Sequence, residues 1–171
     1  DLLTVDLVCH CNTSPGIWRD YIQFIEQKHQ SKIVKANFRN KKFGWHSCLE
    51  TYTLANGKEI ISKSYDFLFF KHLSSRPACT NCPYTNLKRV GDITIGDYWG
   101  WEKKHREWND NLGVNLILVN SIKGTEFLKS AESKLDLIKT DVDDCLQPQL
   151  ISPIKINSCQ EKFFTDYHTR G

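Results

Sequence analysis

Two cysteines separated by two residues, Cys79 and Cys82, are the side chains of this sequence best suited to bind a metal. A C-x-x-C pair can direct both sulfurs at one centre, and thiolates are soft ligands that suit zinc or an iron–sulfur cluster. Cys9 and Cys11 flank His10 at the end of an apolar segment, and a strand end is a rigid place to hold a ligand. The pattern predicts metal ligation by Cys79 and Cys82, with Cys9 as a third ligand.

The other three cysteines, Cys48, Cys145 and Cys159, are interpreted as small core residues. The chain has seven cysteines in all, an odd number with clustered spacing. This usage fits a reducing compartment better than a secreted disulfide framework, so we expect a cytoplasmic protein.

The segment Asp92–Gly100 has the pattern of a short buried strand that ends in a glycine turn. Gly96 and Gly100 would let the backbone approach a bound group closely. An aromatic side chain such as Trp99 could then cover the ring of a cofactor. A core strand with packed aromatic residues explains the same pattern equally well. The candidate cofactor-binding residues here are Gly96, Asp97, Trp99 and Gly100.

The longest basic stretch runs from Arg39 to Lys42. Arg39 and Lys42 are candidates for binding a cofactor phosphate, because guanidinium groups suit bidentate phosphate contacts. A solvated hairpin loop is the alternative interpretation. The net charge is only +3, and no block of like charges indicates a nucleic-acid partner. No apolar run approaches the roughly 20 residues that a membrane helix needs.

The length of 171 residues predicts a single domain over residues 1–171, and 40% of the residues are apolar. The sequence contains no methionine, so we expect it to be part of a longer gene product. No nucleophile elbow, P-loop or dinucleotide-binding glycine fingerprint is present, which leaves a hydrolase or a nicotinamide dehydrogenase without support.

Periodicity and turn residues predict an α+β chain with a mixed sheet, flanking helices and a central β-hairpin around Asn56-Gly57. Ser14-Pro15 has the pattern of a helix start, with Ser14 as N-cap. The predicted strands are 2–9, 32–38, 48–54, 59–62, 92–96, 114–119 and 135–139, and the predicted helices are 15–28, 66–73, 121–134 and 159–168.

These motifs together resemble the coenzyme F420 hydrogenase/dehydrogenase beta subunit family, and specifically its C-terminal domain. The resemblance covers about residues 2–120. The segments that carry it are Val5–His10, Ser14-Pro15, Trp18, Asn37–Arg39, Lys41, Gly44-Trp45, Arg76-Pro77, Cys79, Cys82, Arg89, Asp92–Asp97 and Trp99-Gly100.

The resemblance implies an iron–sulfur flavoprotein that passes electrons between a four-iron four-sulfur cluster and FAD, with a deazaflavin such as coenzyme F420 or another hydride carrier as substrate. Bacterial relatives with this form of the Asp92–Gly100 motif are similar to proteins encoded near polysaccharide-synthesis genes. Cys9, Cys79 and Cys82 match the cluster ligands of the family, and the Asp92–Gly100 segment would form a wall beside the flavin.

Two departures leave alternatives open. The family usually has glycine where this sequence has Cys11, and its fourth cluster cysteine lies in an upstream segment that this sequence lacks. We therefore expect the partner to be that N-terminal segment or a redox protein, and the 171-residue chain alone to be inactive, with little iron and no stoichiometric flavin. The alternatives are a structural zinc held by Cys9, Cys11, Cys79 and Cys82, no metal, or a non-catalytic partner-binding module in polysaccharide biosynthesis.

Overall fold

A computed structural model describes residues 2–170, without the side chain of Arg170. The chain divides into two compact units. The first contains the N-terminal segment to His10 and Cys82–Pro153, and the second contains Cys11–Asn81 and the segment from Ile154 onward. The single domain expected over residues 1–171 stays a prediction.

The described residues form six strands and four α-helices, which confirms the predicted α+β class. The strands are β1 (Val5–Leu7), β2 (Ile33–Asn37), β3 (Glu50–Leu54), β4 (Glu59–Ser62), β5 (Ile93–Asp97) and β6 (Asn115–Val119), and the helices are α1 (Pro15–His29), α2 (Ser64–Phe70), α3 (Ile122–Ala131) and α4 (Gln160–Arg170).

The first unit is built on a mixed sheet with the strand order β1-β5-β6. The middle strand β5 pairs with β1 in parallel and with β6 in antiparallel orientation. Helix α3 begins after Ser121, whose Oγ caps it by accepting a hydrogen bond from the N–H of Gly124 at 3.0 Å. Gly124 has to be a glycine, because a Cβ there would lie 2.3 Å from the carbonyl oxygen of Asp92. The glycine therefore allows the helix to lie directly against the start of β5.

Strand β1 is shorter and more exposed than the sequence predicts. The sequence predicts a buried strand over residues 2–9, but only Val5–Leu7 pairs with β5. Val5 is 52% exposed and Leu7 is 58% exposed. The physical reason is position, since β1 is an edge strand of a three-stranded sheet, whereas Ile93 of the middle strand lies against α3 at Gly124.

The second unit contains the antiparallel sheet β2-β3-β4. The β3–β4 hairpin turns at Asn56-Gly57, where Gly57 has a φ of +85°, so the predicted central hairpin is confirmed. Helix α1 begins at Pro15 as predicted and buries Ile17 and Ile25. Ser14 makes no side-chain cap in this helix, and its backbone N–H instead donates to the carbonyl of Ser74 at 2.9 Å.

One sequence prediction outside the sheets is wrong, and another is confirmed for only one of its three residues. Residues 135–139 form no strand and are exposed, because no strand of the described chain pairs with them. Of the three cysteines expected in the core, Cys145 is buried, Cys48 is partly exposed and Cys159 is exposed just before α4. Between residues 2 and 170, none of the helices combines the length and the apolarity needed to cross a membrane.

Candidate functional site

In the second unit, Cys79 is held against the chain segment that follows Cys11. The backbone N–H of Asn12 donates to Sγ of Cys79 at 3.3 Å. The backbone N–H of Arg76 donates to the carbonyl of Asn12 at 2.9 Å, and the N–H of Cys79 closes a turn onto the carbonyl of Arg76 at 3.0 Å. Hydrogen bonds from backbone N–H groups to thiolate sulfur stabilise its negative charge and tune bound metal centres. The sulfur of Cys79 is thus held against the backbone of Asn12, and its role as a metal ligand stays a prediction.

Cys11 lies buried in the same unit beside a histidine that sequence reasoning did not select. Its Sγ donates to the carbonyl of Phe69 at 3.8 Å, and it lies within 4.8 Å of a ring nitrogen of His72. Burial lowers the pKa of His72, partly opposed by a hydrogen bond to the backbone of Lys155. A neutral imidazole is the form that binds metals. Nothing in the sequence around His72 indicates this contact, which depends on how the chain turns after α2.

In the first unit, Arg89 connects the neighbourhoods of Cys9 and Cys82. The Arg89 side chain is only 4% exposed. Its guanidinium donates to the backbone carbonyls of Leu7, at 3.0 Å, and Tyr84. These carbonyls lie two residues from Cys9 and two residues from Cys82. The single guanidinium of Arg89 therefore holds two backbone segments, one next to Cys9 and the other next to Cys82.

The charge of Arg89 is balanced by Asp6 in strand β1. Oδ1 of Asp6 accepts from two guanidinium nitrogens of Arg89 at 2.8 and 3.1 Å, and Oδ2 accepts from the N–H of Gly91 at 2.9 Å. Partial burial by itself would raise the pKa of Asp6, but hydrogen bonds from Thr94 and Arg89 outweigh it and lower the pKa. The carboxylate is thus kept ionised, and the ion pair is a fixed part of the first unit.

The candidate cofactor residues in and just after β5 differ in the space that surrounds them. A Cβ added to Gly96 would lie 2.8 Å from Cβ of Val8, so a side chain of this unit already fills that space. Gly100 has a φ of +91° and nothing within 4 Å of an added Cβ. Asp97 pairs with Asn115 at the end of the strand. Of the two glycines, Gly100 thus has open space beside it and Gly96 does not, and the cofactor role of these residues stays a prediction.

Trp99, the other candidate in this segment, is anchored through its backbone. Its N–H donates to Oε1 of Gln147 at 2.9 Å, and Gln147 is 2% exposed. The neighbouring Tyr98 and Trp101 are buried, at 2% and 1% exposure. The aromatic residues at both sides of Trp99 therefore belong to the core of the first unit, whereas Trp99 itself is partly exposed.

The basic candidates Arg39 and Lys42 lie in the second unit, after strand β2. The guanidinium of Arg39 lies 5.7 Å from the ring centre of Trp45, and Nζ of Lys42 lies 5.7 Å from that of Phe43. The Asn40 side chain accepts from the N–H of Lys42 at 3.1 Å and so fixes the loop. Cation–π contacts of this kind orient the two charged groups, and their role in binding a phosphate stays a prediction.

Glu50 and Asp66 form a buried acid pair that the sequence analysis missed. Glu50 is fully buried in β3 and Asp66 is 7% exposed in α2. Oε1 of Glu50 accepts from the N–H of Asp66 at 2.9 Å, and its Oε2 accepts from the hydroxyl of Tyr52. The burial of Glu50 could be inferred from the alternation of side chains along β3, because this alternation places Glu50 on the same inward face as Tyr52 and Leu54. A charged residue at an inward strand position requires an explanation.

A cluster of aromatic side chains lies around Glu50. Trp18 and Tyr21 of α1 lie 6.3 and 6.0 Å from Tyr52 between ring centres, and Trp18 lies 4.9 Å from both Tyr65 and Phe38. The hydroxyl of Tyr21 makes a 2.9 Å hydrogen bond to Ser62. We call these five rings, Trp18, Tyr21, Phe38, Tyr52 and Tyr65, the aromatic cluster. Through the hydroxyl of Tyr52, the cluster contacts the carboxyl group of Glu50.

The comparison with known families matches most of the chain. The matching family is described as the C terminus of the beta subunit of coenzyme F420 hydrogenase/dehydrogenase, and its model matches residues 1–144. Neither the curated proteins nor the solved structures yield a match to this chain.

Proposed function

We infer, because this chain belongs to the family of C-terminal domains of coenzyme F420 hydrogenase/dehydrogenase beta subunits, that it is part of an iron–sulfur flavoprotein oxidoreductase. The complete protein would transfer electrons between a four-iron four-sulfur cluster, FAD and a deazaflavin or another hydride carrier. The observation that carries this proposal is the family match over residues 1–144. We place the reaction in the cytoplasm, with a redox protein as partner.

The proposed cluster ligands are Cys9, Cys79 and Cys82, with Cys11 as the further candidate. When bound, the cluster would supply single-electron transfer and the flavin would supply hydride transfer. The backbone N–H of Asn12 donates to Sγ of Cys79 at 3.3 Å, and backbone hydrogen bonds to sulfur are typical of cluster ligands, which supports the choice of Cys79.

The residues proposed to bind the flavin have two tasks. Arg39 and Lys42 would bind its phosphates, since the guanidinium provides paired donors and the ammonium a point charge. Gly96, Asp97, Trp99 and Gly100 would form the wall beside the ring, with the left-handed turn at Gly100 leaving the backbone accessible.

The experiment that tests the proposal is anaerobic purification of the full-length gene product, followed by assay of iron, acid-labile sulfide and flavin. We expect the Cys79→Ser variant to lose iron and sulfide. Cys159→Ser is the matched control, because Cys159 is exposed and is not a proposed ligand. Full iron and sulfide in Cys79→Ser would remove this residue from the ligand set.

A structural zinc in a non-catalytic, partner-binding module is the second candidate. It is favoured by one contact, the approach of Cys11 Sγ to within 4.8 Å of a His72 ring nitrogen, because thiolate and imidazole are both zinc donors. Under this alternative the purified protein contains zinc instead of iron, and both Cys11→Ser and His72→Ala lower its zinc content. Under the oxidoreductase proposal His72→Ala keeps its iron.

A further inference from the structure

Residues 155–160, which lead into helix α4, contact the loop that follows helix α2. We call this loop, residues 71–75, the α2 loop, and both segments belong to the second unit. The α2 loop continues directly into Arg76 and the proposed cluster ligand Cys79. The family match ends at residue 144, so residues 155–160 lie outside it, and their role follows from the groups that they bind.

The α2 loop needs hydrogen-bond donors from another part of the chain. Helix α2 ends at Phe70, and the carbonyls beyond a helix end have no partner within the helix. Ser74 and Ser75 are 0% and 2% exposed, so water cannot supply these partners. His72 has a φ of +56°, a left-handed conformation that a residue with a side chain keeps only when its surroundings hold it there.

Two side-chain amides, those of Asn157 and Gln160, supply these donors. Nδ2 of Asn157 donates to the carbonyl of Lys71 at 2.8 Å. Nε2 of Gln160 donates to the carbonyl of His72 at 2.9 Å, and it lies 3.2 and 3.3 Å from the hydroxyl and carbonyl oxygens of Ser75. The Ser75 hydroxyl donates its own proton to the His72 carbonyl at 2.8 Å, so its oxygen can accept from Gln160. One amide group thus joins the two sides of the turn.

Helix α4 holds the two amides in place. Oδ1 of Asn157 accepts from the N–H of Cys159 at 2.8 Å, and the N–H of Gln160 donates to the carbonyl of Asn157 at 2.9 Å. Farther along the helix, the hydroxyl of Tyr167 donates to the carboxylate of Asp20 in α1. The helix is therefore anchored near both ends, and it offers a rigid support for Gln160.

The position of the α2 loop is transmitted to Cys79 by a short pairing with the chain after Cys11. Ser75 forms an antiparallel bridge with Thr13. The next residue, Arg76, donates its N–H to the carbonyl of Asn12 at 2.9 Å, and the N–H of Asn12 donates to Sγ of Cys79 at 3.3 Å. A shift of the loop would therefore separate the Cys79 sulfur from its donor.

We propose that Asn157 and Gln160 are positioning residues, which hold the α2 loop in the conformation that places Sγ of Cys79 at the backbone N–H of Asn12. The importance of this for a bound cluster rests on the proposed function, whereas the positioning itself belongs to the protein without metal. Loss of the Gln160 amide would remove one of the two donors to the His72 carbonyl. The loop would then open more often, and Cys79 would leave its place more often with it.

The first test is native-state hydrogen exchange of the reduced, metal-free full-length protein, followed by mass spectrometry of peptides that cover residues 11–14 and 71–81. In Gln160→Met we expect exchange there to be about five- to tenfold faster than in wild type, the effect of one buried hydrogen bond. Lys162→Met is the matched control, because it removes an exposed cation of the same helix and should change nothing. Unchanged exchange in Gln160→Met, or equal acceleration in strands β2, β3 and β4, would overturn the proposal.

The second test separates the hydrogen bond from the shape of the side chain. Gln160→Glu introduces a nearly isosteric carboxylate, which cannot donate to the His72 carbonyl, although the protonated acid can. We expect exchange faster than in wild type at pH 8, and a ratio to wild type that falls towards one at about pH 4.5. In Gln160→Met the ratio should be the same at both pH values. A ratio independent of pH in Gln160→Glu would show that the amide does not act as a donor.

Asn157→Asp is a milder variant that tests the other amide. It keeps an oxygen to accept from the N–H of Cys159 and removes only the donor to the carbonyl of Lys71, so the start of α4 is preserved. We expect faster exchange of residues 71–81, in the same direction as in Gln160→Met. Exchange at the wild-type rate would remove Asn157 from the positioning residues.

The release of iron then connects the α2 loop to the proposed cluster. A chelator should remove iron from the anaerobically purified full-length protein about five- to tenfold faster in Gln160→Met than in wild type or in Lys162→Met. Equal rates, in a variant whose loop exchanges faster, would overturn the connection to Cys79. A wild-type protein without iron counts against the proposed function, and the exchange rates then decide on the positioning residues independently.

Discussion

The guanidinium of Arg89 lies 2.8 Å from Oδ1 of Asp6, although 83 residues separate them in the chain. The Arg89 side chain is 4% exposed and that of Asp6 is 17% exposed, so water screens this pair only weakly. The same guanidinium holds the carbonyls of Leu7 and Tyr84, next to two predicted cluster ligands. The pair is therefore the main polar connection between β1 and the segment after Cys82.

Replacement of Arg89 by methionine should strongly destabilise the first unit. The substitution keeps an apolar stem but leaves Asp6 and two carbonyls without their donor, which we expect to cost roughly 3 kcal/mol of unfolding free energy. Arg19→Met is the control, because the Arg19–Asp20 pair is exposed and should contribute less than about 1 kcal/mol. Chemical denaturation measures both variants, and equal small losses would show that the buried pair contributes no more than a surface one.

Replacement of Gly96 by alanine should be destabilising through a defined clash. The new Cβ would lie 2.8 Å from Cβ of Val8, and relieving this contact should cost roughly 1–3 kcal/mol. Gly16→Ala is the control, since the nearest atom to its added Cβ is 3.6 Å away. The double variant Gly96→Ala, Val8→Gly, which removes the Cβ that is clashed with, should destabilise less than the sum of the two single variants. Additive effects would contradict the contact.

The pH dependence of stability should reveal Asp66. Because folding raises the pKa of this acid from 3.8 to about 7, the folded state holds a proton that the unfolded state releases. Its contribution is most favourable below pH 4 and is lost as the pH rises through 7. The loss corresponds to roughly 4 kcal/mol at about 1.4 kcal/mol per unit. Asp66→Asn should remove this decline, as urea unfolding between pH 4 and 8 measures. A decline of the same size in the variant would refute the assignment.

The contribution of Asp92 to stability should change with pH in the opposite direction. Its carboxylate accepts from the Ser121 hydroxyl at 2.6 Å and from the Thr4 N–H and hydroxyl at 2.9 and 2.8 Å. These bonds, with that from Ser121 the largest, lower its pKa to about 2. Its contribution is complete above pH 4 and is lost as the pH falls towards 2. The Asp92→Asn variant should lose stability at pH 6 and be less sensitive to acid between pH 4 and 2. An acid sensitivity identical to that of wild type would count against this role.

Local features of the chain were predictable from the sequence. Asn56-Gly57 determines its hairpin through turn geometry, and Pro15 starts α1 because its fixed φ suits a first helical turn. Strand length was less predictable, because β1 extends only as far as its pairing with β5 allows. Residues 135–139 have a strand-like pattern but no partner strand, so periodicity alone was misleading there.

The candidate site was predictable in its residue types and not in its contacts. The spacing of Cys79 and Cys82 is a local pattern that indicates thiolate chemistry. The hydrogen bond from Asn12 to Cys79 joins residues 67 positions apart, and it depends on the tertiary fold. Glu50 could have been noticed as an inward-facing charge in β3, but its partner Asp66 becomes apparent only when α2 packs against the strand.

The central claim, that this chain belongs to an iron–sulfur flavoprotein, is tested most directly by the iron, sulfide and flavin content of the anaerobically purified full-length protein. We predict iron and acid-labile sulfide in the proportions of a four-iron four-sulfur cluster, together with FAD. Both iron and sulfide should disappear in Cys79→Ser and remain in Cys159→Ser. A wild-type protein that contains zinc and neither sulfide nor flavin would contradict the claim and support the non-catalytic alternative.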